Sequence, residues 1–414
     1  MSKARIILHV DMNCYYVSCE IANKKEYQNK PVAVAPRGAS RKGIILTASY
    51  NARKYGVNSA MRVSEALEKC PHLIILEPHY ELYEEFSRKF VEYFFKITPL
   101  VEVASIDEAY LDVTDVCPPD KVIDLAHQIQ SYIYNVLKLP CSIGIGPNKF
   151  LAKMGSDYKK PMGITVFRKR EIKEMLWPLP VQDMIGVGKK TLENLRFLKI
   201  KTIGDLANYQ DHSILEAILG KNTTAYLLDH AYGNGDTVVD VNRSSEFSSM
   251  SNSQTFEMDL FEPKIILDNL KALTNTVAFR LVEHKYNCQT VSIQIRYNDF
   301  RTIVRSKTLI NPTNDNLEIF AVVKDLFEDY YDERIPVRLL GVGASKLTET
   351  KQDVKQMSIF DDLSKEEKEL NINNLLSQIN TSFGDGSIQI GVKNSKNIDK
   401  LNRDYKKQKN ENFD

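Results

Sequence analysis

The first apolar run, residues 6–10, is compact and stops at a carboxylate, Asp11, which predicts a strand with an acid at its end. Residues 31–35 and 44–47 form a second apolar pair around the polar loop 37–43, and predict a hairpin with a basic tip. Residues 48–55 and 63–70 predict short helices, one closed by Gly56 and the other by Pro71. A longer helical stretch covers 80–97, where Tyr83, Phe86, Phe90 and Phe94 keep the three-or-four spacing of one buried face. Residues 101–106 and 110–113 then flank Asp107, Glu108 and Ala109 as two antiparallel strands around a tight connection. An amphipathic helix over 122–137 and a strand over 141–145 complete this part.

Strand, helix, hairpin, helix, strand is the split βαβ order of a ferredoxin-like sheet, with residues 15–78 as an excursion from it. Beyond residue 168 the pattern changes to short helices with glycines, up to about residue 240. Residues 241–253, rich in Ser and Asn, read as an interdomain linker. Residues 263–286 predict a helix. Residues 289–297 and 301–309 alternate as half-buried strands, with Val291, Ile293, Ile295 and Tyr297 on one face. After residue 349 the chain is rich in Lys, Glu, Asn and Gln. Leu370, Leu375, Leu376 and Ile379 keep enough apolar pattern there for one helix. No internal repeat is visible. The fold class is α+β, and the length of 414 residues fits several domains.

Composition mainly excludes. With 43% hydrophobic and 26% charged residues, the chain is not collagenous, disulfide-dense or wholly disordered. Lys plus Arg number 55 against 54 Asp plus Glu, so any affinity for an anionic polymer must come from local charge. The six cysteines form no C-x-x-C pair and no zinc spacing, which points to free thiols in a reducing cytoplasm. No apolar run is long enough to span a bilayer, and the N-terminal stretch is too short for a secretory signal. A soluble cytoplasmic protein without membrane contact is expected.

Three carboxylates carry the first candidate chemistry. Asp107 and Glu108 are consecutive, so they converge with Asp11 only if the chain turns between their strands, as the flanking alternation predicts. Acids crowded at one sheet edge need a cation, and Mg²⁺ suits an all-oxygen site that keeps room for water and phosphate. Two such ions about 4 Å apart could clamp the attacking and leaving oxygens of a phosphoryl transfer. On spacing alone, a surface turn with exposed acids explains these residues equally well. Thr47, Tyr50 and Arg53 add a cationic side: Tyr50 and Arg53 are helical neighbours, and a phenol with a guanidinium can grip triphosphate oxygens. Lys160 adds a point charge just before Pro161.

Together these segments resemble the Y-family DNA polymerases. The resemblance rests on Val10-Asp11-Met12-Asn13-Cys14-Tyr15-Tyr16, on Leu46 through Gly56, on Ser105 through Asp112, and on Gly144 through Lys153 running on to Lys159-Lys160-Pro161-Met162-Gly163. It covers roughly residues 4–346, in the family's order. It implies a right-hand polymerase: a palm (1–14 and 79–168), small fingers (15–78), a helical thumb (169–240), a linker (241–247) and an α/β little finger (248–349). By the same resemblance Asp11, Asp107 and Glu108, with the backbone carbonyl of Met12, would hold two Mg²⁺ ions. Thr47, Tyr50, Arg53 and Lys160 would bind an incoming dNTP, and the amides of Cys14, Tyr15 and Tyr16 would meet its phosphates. Tyr16 matches the steric gate that crowds a ribose 2′-hydroxyl.

Gly186, Gly188 and Lys189 resemble a helix-hairpin-helix turn, whose glycines let backbone N–H groups approach a DNA phosphate. Residues 248–349 carry 12 Lys plus Arg against 14 Asp plus Glu. Within 285–310, however, Lys285, Arg296, Arg301, Arg305 and Lys307 face only Asp299, which suggests a strand pair tracking the phosphate backbone of primer-template DNA. Two departures stand out. Asn13 replaces a frequent second acid, and Ser248-Ser249-Met250-Ser251 replaces the usual basic opening of the little finger. In the tail, Gln356-Met357-Ser358-Ile359-Phe360 resembles the peptide that docks on a bacterial sliding clamp. The implied activity is template-directed DNA synthesis by a monomeric, error-prone translesion polymerase without proofreading. The rivals are an inert clamp- or DNA-bound replication accessory protein and another two-metal palm enzyme, such as a nucleotidyl cyclase.

Overall fold

The computed structural model describes residues 4–36, 43–243 and 246–350, and divides into two compact units at Ser248/Ser249. The first unit contains β1 (Ile7–Met12), β2 (Val32–Val34), β3 (Thr47–Ala48), β4 (Ile74–Leu76), β5 (Val101–Val103), β6 (Glu108–Asp112), β7 (Cys141–Gly146) and β8 (Ile164–Val166). Five of these form one sheet in the order β5-β6-β1-β7-β8. The first four are antiparallel in the ferredoxin-like order, and β8 joins β7 in parallel.

The pleat of β1 sorts its side chains. Leu8, Val10 and Met12 enter the main core with Phe86, Phe90 and Phe94 of helix Tyr80–Phe95 and with Ile129 and Ile133 of helix Val122–Leu137. Ile7, His9 and Asp11 point to the other face, which helix Lys149–Tyr158 crosses at very close range. A Cβ on Gly144 of β7 would fall 1.8 Å from the carbonyl oxygen of Ala152. That proximity brings Lys153 and Ser156 over His9 and Asp11.

The apolar pair in the excursion does become antiparallel β2 and β3, but β3 is only Thr47 and Ala48, and residues 37–42 of its basic tip lie outside the described residues. The pattern misses β4, whose Ile74 to Leu76 pairs in parallel with β2. The helix expected over 48–55 shortens to Tyr50–Arg53, capped by the Ser49 side chain accepting from the Ala52 N–H. Residues 172–231 pack short helices around Leu195, Ile203, Leu206 and Leu227.

The second unit is a four-stranded antiparallel sheet in the order β11-β10-β12-β9, from β9 (Ser249–Leu260), β10 (Tyr286–Tyr297), β11 (Thr302–Thr313) and β12 (Val337–Glu349). Helices Pro263–Glu283 and Asn316–Tyr330 cover one face, and Val291, Ile293, Ile295 and Tyr297 are buried as the alternation predicts. The linker expectation is corrected at its end. Residues 249–253 belong to β9, where Met250 pairs with Ala344 and is buried despite its Ser- and Asn-rich neighbours. Backbone pairing with β12 outweighs that composition. The tail beyond residue 350, with its expected helix and its five-residue motif, lies outside the described residues.

Candidate active site

Asp11 and Glu108 are direct cross-strand partners on β1 and β6. One residue earlier the chain turns, and the Met12 N–H donates to the Asp107 carbonyl at 3.0 Å. The three acids therefore gather at one end of the sheet, but the connection expected at 107–109 lies at residues 104–107, because Glu108 and Ala109 already pair within β6. The Asp107 carboxylate accepts from Ser105 Oγ at 2.6 Å. Lys160 Nζ sits 2.7 Å from Asp11 Oδ1 and 2.8 Å from Asp157. Lys153 Nζ bonds Glu108 Oε2 and lies 3.9 Å from Asp11 Oδ2.

Burial pushes the Asp11 carboxyl above its ordinary range, against the pull of Lys160. Glu108 goes the other way, held at about 2 by the neighbouring His9 imidazole and, after its burial is set against it, by Lys153. Burial works against the Lys160 ammonium, but Asp11 and Asp157 more than offset it and its pKa rises. Lys153 and Lys160 thus balance part of the charge of Asp11, Glu108 and Asp157.

His9 and Lys153 are neighbours of the acids that spacing does not single out. His9 is fully buried, its Nε2 3.4 Å from Glu108 Oε2 and its Nδ1 2.8 Å from Ser156 Oγ. One ligand atom each from His9, Asp11 and Glu108 lie within 4.8 Å of one another, the geometry of a cation site. The signal was available: His9 is two residues from Asp11 on one strand, hence on its face. Asn13 takes no part in the acid cluster. It is buried, donates to Ser142 Oγ at 3.0 Å, and accepts from the Met162 N–H at 2.9 Å, tying the end of β1 to the segment that carries Lys160.

The nucleotide candidates lie on other elements of the first unit. Arg53 donates from Nε to the Ala48 carbonyl at 3.1 Å, and its guanidinium lies 5.0 Å from the Tyr50 ring centroid. Burial raises the Tyr50 pKa, with Arg53 and Lys160 pulling against the rise. Thr47 is on β3. Cys14, at a left-handed φ of 48°, turns the chain from β1 into helix Tyr15–Ile21. First-turn amides of a helix have no intrahelical acceptor. Tyr16 is half-buried, and its ring stacks on Tyr83.

Gly186 has φ of 91°, and a Cβ there would meet Tyr226 at 2.7 Å, whereas Gly188 faces open space and caps the N-terminus of helix Lys189–Phe197. In the second unit the expected strand pair forms, but its cations divide between two faces. Lys307 and Arg305 oppose the buried Val291 and Ile293, and so lie on the helix-covered side. There Lys307 Nζ is 3.1 Å from Asp325, and the Arg305 guanidinium is 5.0 Å from the Tyr330 ring centroid. Arg296 opposes Thr302 on the open face and bonds its hydroxyl at 2.8 Å. Arg301 stacks on Tyr297 at 4.9 Å and lies 3.7 Å from Asp332. The period of two separates what composition had grouped. No described helix is long and apolar enough to cross a membrane.

Family models match three stretches: the impB/mucB/samB family at residues 10–157, the IMS family HHH motif at 169–200, and the impB/mucB/samB C-terminal domain at 248–359. Proteins named DNA polymerase IV from Bacillus anthracis and DNA polymerase IV 1 from Bacillus subtilis (strain 168) are each 42% identical, over 94% of this chain and 93% of theirs. Among solved structures, a Y-family DNA polymerase chimera aligns with a TM-score of 0.74 at 27% identity, covering 83% of this chain and 99% of its own. An insertion ternary complex of Dbh DNA polymerase aligns at 0.61 and 27% identity, over 82% and 98%.

Proposed function

The chain belongs to the impB/mucB/samB family, the Y-family DNA polymerases, and from that premise we propose how its own residues carry out DNA synthesis. It is a DNA-directed DNA polymerase of the translesion class. The metal dependence of such enzymes agrees with the donor chemistry here: three carboxylates and a backbone carbonyl at one sheet end, with two lysines offsetting part of their charge. Asp11, Asp107 and Glu108, with the Met12 carbonyl, would hold two Mg²⁺ ions, which would stabilise charge on the attacking and leaving oxygens. The all-oxygen set favours Mg²⁺ over softer cations.

The reaction joins the primer 3′-oxygen to the α-phosphorus of a dNTP. The bond from that phosphorus to the bridging oxygen breaks, pyrophosphate leaves, and the 3′-hydroxyl gives up its proton. Tyr50, Arg53 and Lys160, with Thr47 and the first-turn amides of Cys14, Tyr15 and Tyr16, hold the triphosphate. Lys160 needs little displacement, because its ammonium already stands at Asp11. Tyr16 crowds the 2′ position of the sugar. Residues 1–14 and 79–168 act as palm, 15–78 as fingers, 169–240 as thumb, 241–247 as linker and 248–349 as little finger. Primer-template DNA meets Gly186, Gly188 and Lys189 in the first unit and, separately, Arg296 and its neighbours in the second. Gln356, Met357, Ser358, Ile359 and Phe360 tether the enzyme, acting as a monomer, to a sliding clamp.

The observation that carries this reading is the pairing of Asp11 with Glu108 beside the Asp107 turn, with Lys160 on Asp11. Primer extension with single dNTPs on four templates, and without template, tests it. Incorporation should follow the template base and require a divalent cation. Template-independent addition would overturn it. An inert accessory, the sequence's other reading, finds no support in relatives named as polymerases.

A further inference from the structure

The ring of Tyr16 is held from behind by a buried carboxylate. Tyr16 and Glu20 are one turn apart on helix Tyr15–Ile21, hence on one face. Tyr83, from helix Tyr80–Phe95, connects them. Its ring stacks on Tyr16 with centroids 4.6 Å apart and planes at 29°, and its hydroxyl donates to Glu20 Oε1 at 2.7 Å. Tyr83 and Glu20 are both buried. The same Glu20 oxygen accepts from the His79 N–H at 3.2 Å and lies 2.9 Å from His79 Nδ1, while Lys24 Nζ is 3.8 Å from Oε2. The Tyr15 hydroxyl donates to the Tyr83 carbonyl at 2.6 Å, so Tyr83 is fixed at its backbone as well as at its phenol.

A buried carboxylate that accepts several donors has one rotamer, and hydrogen bonds to an ionised acceptor are short and strong. The Tyr83 ring therefore cannot slide along its own plane without losing that bond. Tyr16, in offset contact with it, inherits the restraint. We propose that Glu20 is a positioning residue for sugar selection: acting through the Tyr83 hydroxyl, it fixes how far the Tyr16 ring intrudes into the space of a 2′-hydroxyl. The proposal rests on the reading of Tyr16 as the ring beneath the sugar. Glu20 never touches the nucleotide.

The test compares kcat/KM for dCTP and CTP opposite template dG, using the full chain on a primer-template. Tyr83→Phe keeps the ring and removes the bond to Glu20, together with the 3.1 Å bond that the phenol oxygen accepts from the His79 N–H. Glu20→Leu removes the acceptor, and Glu20→Gln keeps an oxygen for the phenol. Tyr83→Phe and Glu20→Leu should lower the dCTP-to-CTP ratio about fivefold through a rise in the CTP value, a misfit smaller than one methylene in a pocket. Glu20→Gln should restore the parent ratio. If Glu20→Leu fails to fold, Tyr83→Phe and Glu20→Gln decide between them. A merely structural role would lower both values together, and that result, or a parent ratio in Tyr83→Phe, overturns the proposal. Tyr16→Ala is the separate control. An unchanged ratio there rejects the sugar reading of Tyr16, whereas a lowered ratio there with none in Tyr83→Phe rejects Glu20 alone.

Discussion

Replacing Asp107 by asparagine removes one charge and little else. The side chain keeps its size and an oxygen for the Ser105 hydroxyl, and the Met12 N–H bond to the 107 carbonyl is a backbone interaction that survives. The end of the sheet should stay in place, with the melting temperature within a degree or two of the parent's, as expected for a substitution worth under about 0.5 kcal/mol. The electrostatics change much more. Lys153 and Lys160 pair with Asp11, Glu108 and Asp157, and Asp107→Asn removes a charge that an incoming cation would otherwise meet. Loss of a metal-binding acid removes about 3–5 kcal/mol of transition-state stabilisation, which is about 10²- to 10⁴-fold in rate. Single-turnover primer extension at saturating dNTP reads that rate directly. Fluorescence anisotropy on the same primer-template should show DNA affinity changed by less than about threefold, because duplex affinity comes from phosphate contacts. A variant that extends primers within threefold of the parent would refute the assignment of Asp107 to metal.

Tyr16→Ala should admit ribonucleotides at least about tenfold more readily in the same assay, since a steric gate acts by filling space rather than by bonding; unchanged discrimination would make Tyr16 an ordinary packing residue. DNA affinity should fall steeply with salt, and Arg296→Ala should flatten the log–log slope by about 0.9 for each phosphate that its guanidinium neutralises. Lys307→Ala, by contrast, should leave the slope nearly unchanged, because that ammonium is engaged by Asp325; the opposite ranking would place the DNA on the helix-covered side. Ile359→Ala combined with Phe360→Ala should abolish stimulation by a bacterial sliding clamp and spare clamp-free extension, since tethering acts through effective concentration. Full stimulation of that double variant would exclude the motif as the contact.

What was legible in the sequence was whatever depended on period and local order. Alternation around residues 107–109 announced the strand pair beside Asp11 but set its turn a few residues late, since the connection is 104–107, and the aromatic spacing in helix Tyr80–Phe95 named its four buried rings correctly. The missing pieces depended on partners distant in the chain. β4 is three residues of a parallel pair, and its short apolar run between Pro71 and Pro78 carries no alternation. Residues 249–253 look like a linker because β9 is an edge strand whose side chains are mostly exposed, and only pairing with β12 makes it a strand. Lys153 reaches Glu108 because Gly144 lets helix Lys149–Tyr158 lie almost against β7, a contact between segments over a hundred residues from β1, whereas His9 reaches it across the β1–β6 pair. The cations of residues 296–307 were counted together although the pleat sends Arg305 and Lys307 to the opposite side from Arg296.

The central claim is that Asp11, Asp107 and Glu108 hold the two ions of a nucleotidyl transfer. The most direct measurement is anomalous diffraction from Mn²⁺ in crystals of the full chain with primer-template and a non-hydrolysable dNTP. Two peaks about 4 Å apart should appear among Asp11, Asp107, Glu108 and the Met12 carbonyl. A single peak seated among His9, Asp11 and Glu108, with Asp107 still turned to Ser105, would contradict it.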